Sequence, residues 1–547
     1  MVHGNCGSTK NLSGLAMVRN FRALWLLPAV VAAWLQPTPH VRRAPALQRA
    51  PALQRAPALR RAPALRSATT DSSATTKTRD GTTLGETTDS KATTKPLGSP
   101  YWFDRWWPLA FESHAFDDKP QHVEVLGAPV VLWLDGDDWR AALDRCPHRF
   151  ARLSEGRVAD DGCIECPYHG WTFDGATGAC KAIPQGSTPT ARAGATALPT
   201  VARGGLIWVW TSALYDGAAN AAPDVGALDA LSLQAEVFDA GGASIADYAR
   251  ELPMDATMLL ENVMDPSHLP YTHHDTISKR ANAGPIDLRL DRPATDEGFT
   301  LAKSFPDRAD VSGFVRYDAP SLVLSETDRG PGGFRDWNIV YAVPVAPGRC
   351  RLFVRVVFEV SKLEGPQKFV FERILPNAPP WAIHLSNHKV LEDDNVFLHH
   401  AGAALRDDDA LHPADWERRL YMPTAADAGV RAYRRWLDAY TASRGAVFST
   451  HLAPGAPAPR TRAALVDRRA SHTDQCASCS RARATAARVE TVAHAAAFGL
   501  LALAALATDG REVLVAAAAV AYGAHAGARA LLPAFDDGAL VPPRNLG

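Results

Sequence analysis

The sequence predicts an α+β chain: an all-β domain over residues 100–213, a larger domain of mixed structure over 214–445, a segment with paired cysteines over 446–488, and an apolar helical hairpin over 489–535. Three patterns carry this reading. From His122 the stretch HVEVLGAPVVLWLDGDDWRAAL alternates short β-rich runs with turn signals at Gly127 and Asp135-Gly136-Asp137. MDATMLLENVMD, ending at Asp265, has helical periodicity, with Met258, Leu259, Val263, Met254 and Asn262 on adjoining faces. Near the C-terminus two apolar segments, about Val489 to Ala507 and Val513 to Leu532, flank Asp509-Gly510-Arg511-Glu512. Each is near the length that spans a bilayer, and the four polar residues make a turn between antiparallel helices. His494, His525 and Arg529, with many alanines, leave open two amphipathic or buried helices.

Composition narrows the function. The formal net charge of −1, with no basic block interleaved with aromatics, excludes a nucleic-acid groove. Eight cysteines, Cys6, Cys146, Cys163, Cys166, Cys180, Cys350, Cys476 and Cys479, are too sparse for a secreted disulfide scaffold. The clustered ones point to metal or redox chemistry.

The first 99 residues read as an address. FRALWLLPAVVAAWL, Phe21 to Leu35, follows Lys10 and Arg19 as the apolar part of a signal peptide does. Near-copies of RAPALQ then begin at Arg43, Arg49, Arg55 and Arg61, and a Ser/Thr/Ala-rich tract runs to Ser99. A repeat this short with proline in every copy builds no core, and its Arg-rich, acid-poor character is that of a plastid transit peptide. A bipartite signal and transit leader is expected, with a disordered tail as the alternative.

Two loops carry the first metal-competent set. One reads Cys146-Pro147-His148-Arg149 and the other Cys166-Pro167-Tyr168-His169-Gly170-Trp171, so each gives one cysteine and one histidine. A Rieske [2Fe–2S] centre needs this composition, because two thiolates hold one iron and two imidazoles the other, raising the potential to about −150 to +300 mV. Structural zinc also takes Cys2His2, but zinc fingers usually pair like with like along the chain. Cys163 and Cys180 lack a histidine at motif spacing and are read as packing around the cluster.

The second set lies in ENVMDPSHLPYTHH from Glu261. His268 falls one turn after Asp265, and Pro270 is expected to break the chain so that His273 folds back to the same metal. A 2-His-1-carboxylate face leaves positions on Fe(II) for O2 and substrate. The carboxylate is sought in LEDDNVFL from Leu391, where Asp394 is chosen and Asp393 held in reserve. Asp265 and Asn262 are expected behind the ligands, with the Asp265 carboxylate holding a ligand imidazole and carrying a path from a cluster histidine. His274, His399 and His400 are read singly as hydrogen-bonded residues.

These segments resemble the plant and algal Rieske oxygenases around pheophorbide a oxygenase, with chlorophyllide a oxygenase and the inner-envelope translocon-associated Rieske protein as relatives. The resemblance runs from about Trp102 to Cys479 through CPHRFARLSEG, ECPYHGWTFDG, the Cys180 segment ending Ile183-Pro184-Gln185, ENVMDPSHLPYTHH and the D-x-x-F-L run at Asp394. The pair Cys476 and Cys479 is similar to the redox-active C-x-x-C of the pheophorbide a oxygenase and translocon-associated branch, which argues against chlorophyllide a oxygenase proper. The resemblance implies a helix-grip catalytic domain with an antiparallel sheet, a homotrimer in which one subunit's cluster reduces its neighbour's iron, and ferredoxin as donor. The absence of a Gly-rich dinucleotide fingerprint agrees with an external donor. The resemblance also tips the C-terminal hairpin to a membrane anchor, with the basic segment from Arg481 to Arg488 at the interface. The function expected is oxygenation of a chlorophyll-derived tetrapyrrole in chlorophyll catabolism, at a plastid membrane, envelope or thylakoid. The alternatives are chlorophyllide a oxygenation, linear-tetrapyrrole hydroxylation, or a redox-sensing component of a plastid protein-import complex.

Overall fold

The computed structural model describes residues 100–216, 225–232, 234–331, 333–411, 416–441 and 460–545. The expected leader therefore lies outside the described residues.

The first domain is all β, as expected. Strands β1 (Trp106–Phe111), β10 (Thr200–Arg203) and β11 (Leu206–Trp210) form one antiparallel sheet in the order β1-β11-β10. β2 (Gln121–Val125), β3 (Ala128–Asp135), β4 (Asp138–Leu143) and β9 (Ala197–Leu198) form a second. Leu126 and Gly127 join β2 to β3 with φ of 52° and 75°, the paired positive angles of a turn that follows strand twist. Gly136, at φ 64°, opens the β3–β4 turn.

Strand β3 is buried on both sides, and its two faces serve different cores. Val130 and Leu132 enter the main core of the molecule, whereas Val131 and Trp133 pack with Leu153, Ile164, Phe173, Cys146 and Cys166. Because side chains alternate along a strand, one short run couples a cluster-bearing lobe to the body beneath it. That lobe holds a small sheet of β5 (Arg157–Val158), β6 (Ile164–Glu165), β7 (Thr172–Phe173) and β8 (Cys180–Ala182).

The second domain is built on seven antiparallel strands: β12 (Gly242–Leu252), β13 (Asp287–Thr295), β14 (Gly298–Ser304), β15 (Ser312–Asp318), β16 (Leu322–Asp328), β17 (Arg335–Ala346) and β18 (Arg349–Glu359). Their order is β12-β18-β17-β16-β15-β14-β13. Helix α1 (Ala256–Met264) lays Met258, Leu259, Leu260 and Met264 into the core over β16 to β18. A long helix, α2 (Pro380–Leu411), starts with proline at its first position, where a missing N–H costs nothing. It crosses β12, while α3 (Ala428–Thr441) covers α1 and β13.

Two helices end the chain, α4 (Ala477–Leu506) and α5 (Arg511–Asp536), with Gly510 at φ 70° in the expected turn. Both are long and apolar enough to cross a membrane, and large apolar side chains such as Phe498, Leu506 and Val520 are exposed. Cys479 and the first apolar span share one helix, because no proline interrupts Ala477–Leu506.

Candidate functional site

The two cluster loops are close geometric copies. In each, the backbone N–H four residues past the cysteine donates to the cysteine carbonyl, Phe150 to Cys146 at 2.9 Å and Gly170 to Cys166 at 3.1 Å. Each cysteine N–H closes the loop base, on Ala151 O at 2.9 Å and Trp171 O at 2.8 Å. Both turns need a left-handed residue, supplied by Gly170 at φ 70° and, against steric preference, by Phe150 at φ 62°. Cys146 and Cys166 are buried while His148 is exposed, so the sulfurs lie in the lobe and the imidazoles at its tip. The two rings have centroids 4.6 Å apart, and Trp171 stacks on His148 at 3°. Trp171 Nε1 donates to Gln185 Oε1, and Gln185 Nε2 donates to His169 O, which ties the second loop to the Ile183-Pro184-Gln185 segment. Burial pushes the Cys146 thiol up to about 11, so a thiolate there needs the charge of a metal, as an iron–sulfur cluster provides.

The second set converges from two elements. Asp265 ends α1 and starts a short turn, Pro266–His268, which continues as one helical turn, Leu269–Thr272, and delivers His273. The other element is α2, which brings Asp394. His268, His273 and Asp394 place their ligand atoms within 4.8 Å of one another. His273 is held on both sides: Nε2 lies 3.3 Å from Asp394 Oδ2, and Nδ1 lies 3.5 Å from Asp393 Oδ2. A proton on Nδ1 facing Asp393 leaves the Nε2 lone pair for a metal. Asp393 is oriented in turn by Thr276 Oγ1 at 2.6 Å and by Arg544, whose Nη1 also reaches Asp393 O at 2.6 Å. Asn262 Nδ2 stands 3.5 Å from Asp394 Oδ1. The neighbouring aspartates are thus separated by geometry, Asp394 in the ligand group and Asp393 behind His273.

Two local expectations change. The Asp265 carboxylate does not hold the His268 ring; it accepts from Ser267 N at 2.8 Å as the cap of its turn, and the Asp265 backbone carbonyl meets His268 Nδ1 instead. A carboxylate at a turn start is drawn to the unpaired N–H groups ahead of it. Pro270 also sits inside the short helix near its start, and the change of direction comes at Asp265-Pro266. Thr276 and Arg544 were not foreseen, since neither lies in a motif.

The donor set fits iron. Burial, with the His273 ring beside it, lowers His268 to about 4, which keeps it neutral and able to ligate. Burial raises Asp394 to about 6, and Asp393 adds to this. Below pH 6 a metal must displace the Asp394 proton, so affinity falls with acid; above pH 6 it levels off. Metal titration of the iron-free site is expected to weaken about tenfold between pH 7 and pH 5. Equal affinity at the two pH values would remove Asp394 from the ligand set.

Cys476 caps α4 and Cys479 lies in its first turn, both buried and both free thiols. A cavity of about 720 Å³ opens over Cys476, lined also by His114, Arg250 and Arg351, and its lining does not include His268, His273 or Asp394.

Residues 105–200 match the family model for the Rieske [2Fe-2S] domain, and residues 317–410 match that for pheophorbide a oxygenase. Flavonoid 8-hydroxylase 2 of Ocimum basilicum is 30% identical over 449 residues, 77% of this chain and 82% of the relative. The chain belongs to the pheophorbide a oxygenase family of Rieske-type oxygenases. Pheophorbide a oxygenase of Oryza sativa subsp. japonica is 29% identical over 471 residues, 81% of this chain and 86% of its own. Protochlorophyllide-dependent translocon component 52 of Arabidopsis thaliana is 27% identical over 438 residues, 70% of this chain and 73% of its own. All three relatives are named as chloroplastic. Membership makes the chain a Rieske non-haem iron oxygenase, with a [2Fe–2S] cluster and a mononuclear iron as cofactors.

Proposed function

We propose that this chain uses O2 and single electrons from reduced ferredoxin to oxygenate a chlorophyll-derived tetrapyrrole, with opening of the macrocycle as in chlorophyll catabolism. What supports the reading is that one chain carries two separate ligand sets: Cys146, His148, Cys166 and His169 for the cluster, and His268, His273 and Asp394 for iron. Iron held by His268, His273 and Asp394 would supply O2 activation, the chemistry that a 2-His-1-carboxylate set supports. Around it the chain's own groups fix protons and orientation. Asp393 keeps the His273 proton on Nδ1, Asp265 O does the same for His268, and Asn262 steadies the Asp394 carboxylate.

The deciding experiment supplies reduced ferredoxin and O2 to the purified full chain with pheophorbides, chlorophyllides, linear tetrapyrroles and flavonoids, identifying products by mass. An oxygenated, ring-opened pheophorbide is expected. The Ocimum basilicum relative favours a second reading, hydroxylation of a flavonoid, and product from flavonoids alone would establish it over the first. No turnover on any substrate by iron-loaded protein would favour the import-component alternative.

The two apolar helices and the chloroplastic names of the relatives support a plastid membrane location. In the homotrimer we infer, Asp265 stands beside the mononuclear iron on the path from a neighbour's cluster. Asp265→Asn is expected to load both metals and keep its cap, because asparagine caps as well as aspartate. Cluster reoxidation in a single turnover should slow by about 10 to 100-fold. Reoxidation at the parent rate, with normal iron, would take Asp265 off the path.

A further inference from the structure

The face of α2 that precedes Asp394 meets the C-x-x-C segment in a second buried group. His384 Nδ1 lies 3.2 Å from His472 Nε2, 3.3 Å from Cys479 Sγ and 3.7 Å from Cys476 Sγ, and His472 Nε2 lies 3.2 Å from Cys479 Sγ. All four ligand atoms fall within 4.8 Å of one another, and none of the four residues exceeds 2% exposure. Zinc bound tetrahedrally at about 2.0 to 2.1 Å from nitrogen and 2.3 Å from sulfur sets ligand atoms roughly 3.3 to 3.8 Å apart, and these four spacings, 3.2 to 3.7 Å, lie within about 0.4 Å of that range. His472 Nδ1–H donates to Ala249 O at 2.6 Å, which fixes the tautomer and turns the Nε2 lone pair inward, as a partner behind a metal ligand does.

We propose that His384, His472, Cys476 and Cys479 bind one structural zinc ion. Two thiolates with two neutral imidazoles around Zn2+ would give a site of zero net charge, which suits its burial. Four protein ligands close the coordination sphere, so the ion has no open position for O2 or substrate. The cavity bordered by His472 and Cys476 gives an ion a way in. The site joins α2, the loop before α4 and α4 itself, fastening the C-terminal hairpin to the helix that carries Asp394 ten residues further on. A redox role for Cys476 and Cys479 would instead transfer two electrons from the thiols to an oxidant, leaving two buried imidazole nitrogens facing a disulfide.

The test is metal analysis and zinc K-edge absorption on the full chain, purified in detergent without chelators from zinc-replete cells. About one zinc per chain is expected, with a first shell of two sulfurs and two nitrogens. Because zinc in the cluster loops would give the same shell, two variants accompany the parent. Cys479→Ser should lose the sulfur-rich zinc and keep the [2Fe–2S] spectrum, whereas Cys146→Ser should lose the cluster and keep the zinc with its two sulfurs. A parent protein without zinc and with Cys476 and Cys479 joined as a disulfide would overturn the proposal. So would a zinc shell without sulfur, which would place the ion at His268, His273 and Asp394.

Discussion

Asp394→Ala is expected to abolish oxygenation and mononuclear iron while leaving the [2Fe–2S] absorbance and electron-spin signal unchanged. The two proposed ligand sets come from different domains, so losing one is expected to leave the other loaded. His268→Ala and His273→Ala should behave alike, each removing one of three ligand atoms that meet within 4.8 Å. Asp393→Asn is the informative contrast. The Asp393 carboxylate contacts His273 at Nδ1 and is not itself among the grouped ligand atoms, so its loss is expected to reduce metal affinity or activity by about 10 to 100-fold rather than to background. Iron per chain, corrected for cluster iron by labile sulfide, together with product yield, distinguishes the two. Full activity in Asp394→Ala with none in Asp393→Ala would reverse the assignment.

What sequence could show depended on whether chemistry was packed into a local motif. The proposed cluster ligands lie within two short loops, so their types and spacing could be read locally. The β2–β3 and β3–β4 turns were legible because Gly127 and Gly136 mark left-handed backbone. The α2 side of the molecule was much less so. Its buried face is polar, with His384, His388, Glu392, Asn395 and His399 recurring at helical spacing, each almost fully buried. A hydrophobic-periodicity argument treats such a face as solvent-exposed. The partners that make burial tolerable come from elsewhere: Tyr248 on β12 for His388, Pro253 O for His399 and Leu465 O for Asn395. His384 likewise had no signal of its own, since Cys476 and Cys479 are 92 and 95 residues away in sequence.

Glu392→Ala is expected to be the most destabilising single change on that face. The carboxylate lies between two guanidiniums: Arg468 donates through Nε and Nη2 at 2.7 Å each, and Arg250 through Nη1 at 2.9 Å. The side chains of Arg250, Glu392 and Arg468 are 1%, 6% and 6% exposed. Arg250 also donates to Ser471 Oγ and Asp467 O, and Arg468 to Ala534 O, so the triad joins β12, α2, the loop before α4 and the end of α5. Removing the one anion leaves two buried cations side by side, and breaking a buried pair in this way costs about 3 to 5 kcal/mol. Denaturant unfolding followed by tryptophan fluorescence should show a loss of that size. Glu392→Gln, which keeps the shape and an acceptor oxygen, should lose less. Proteolysis should then cut first between the second domain and the hairpin, because Arg468 can no longer hold Ala534 to α2. A change under about 1 kcal/mol in Glu392→Ala would mean that water enters and solvates the guanidiniums, and the triad would then not be what fastens the hairpin.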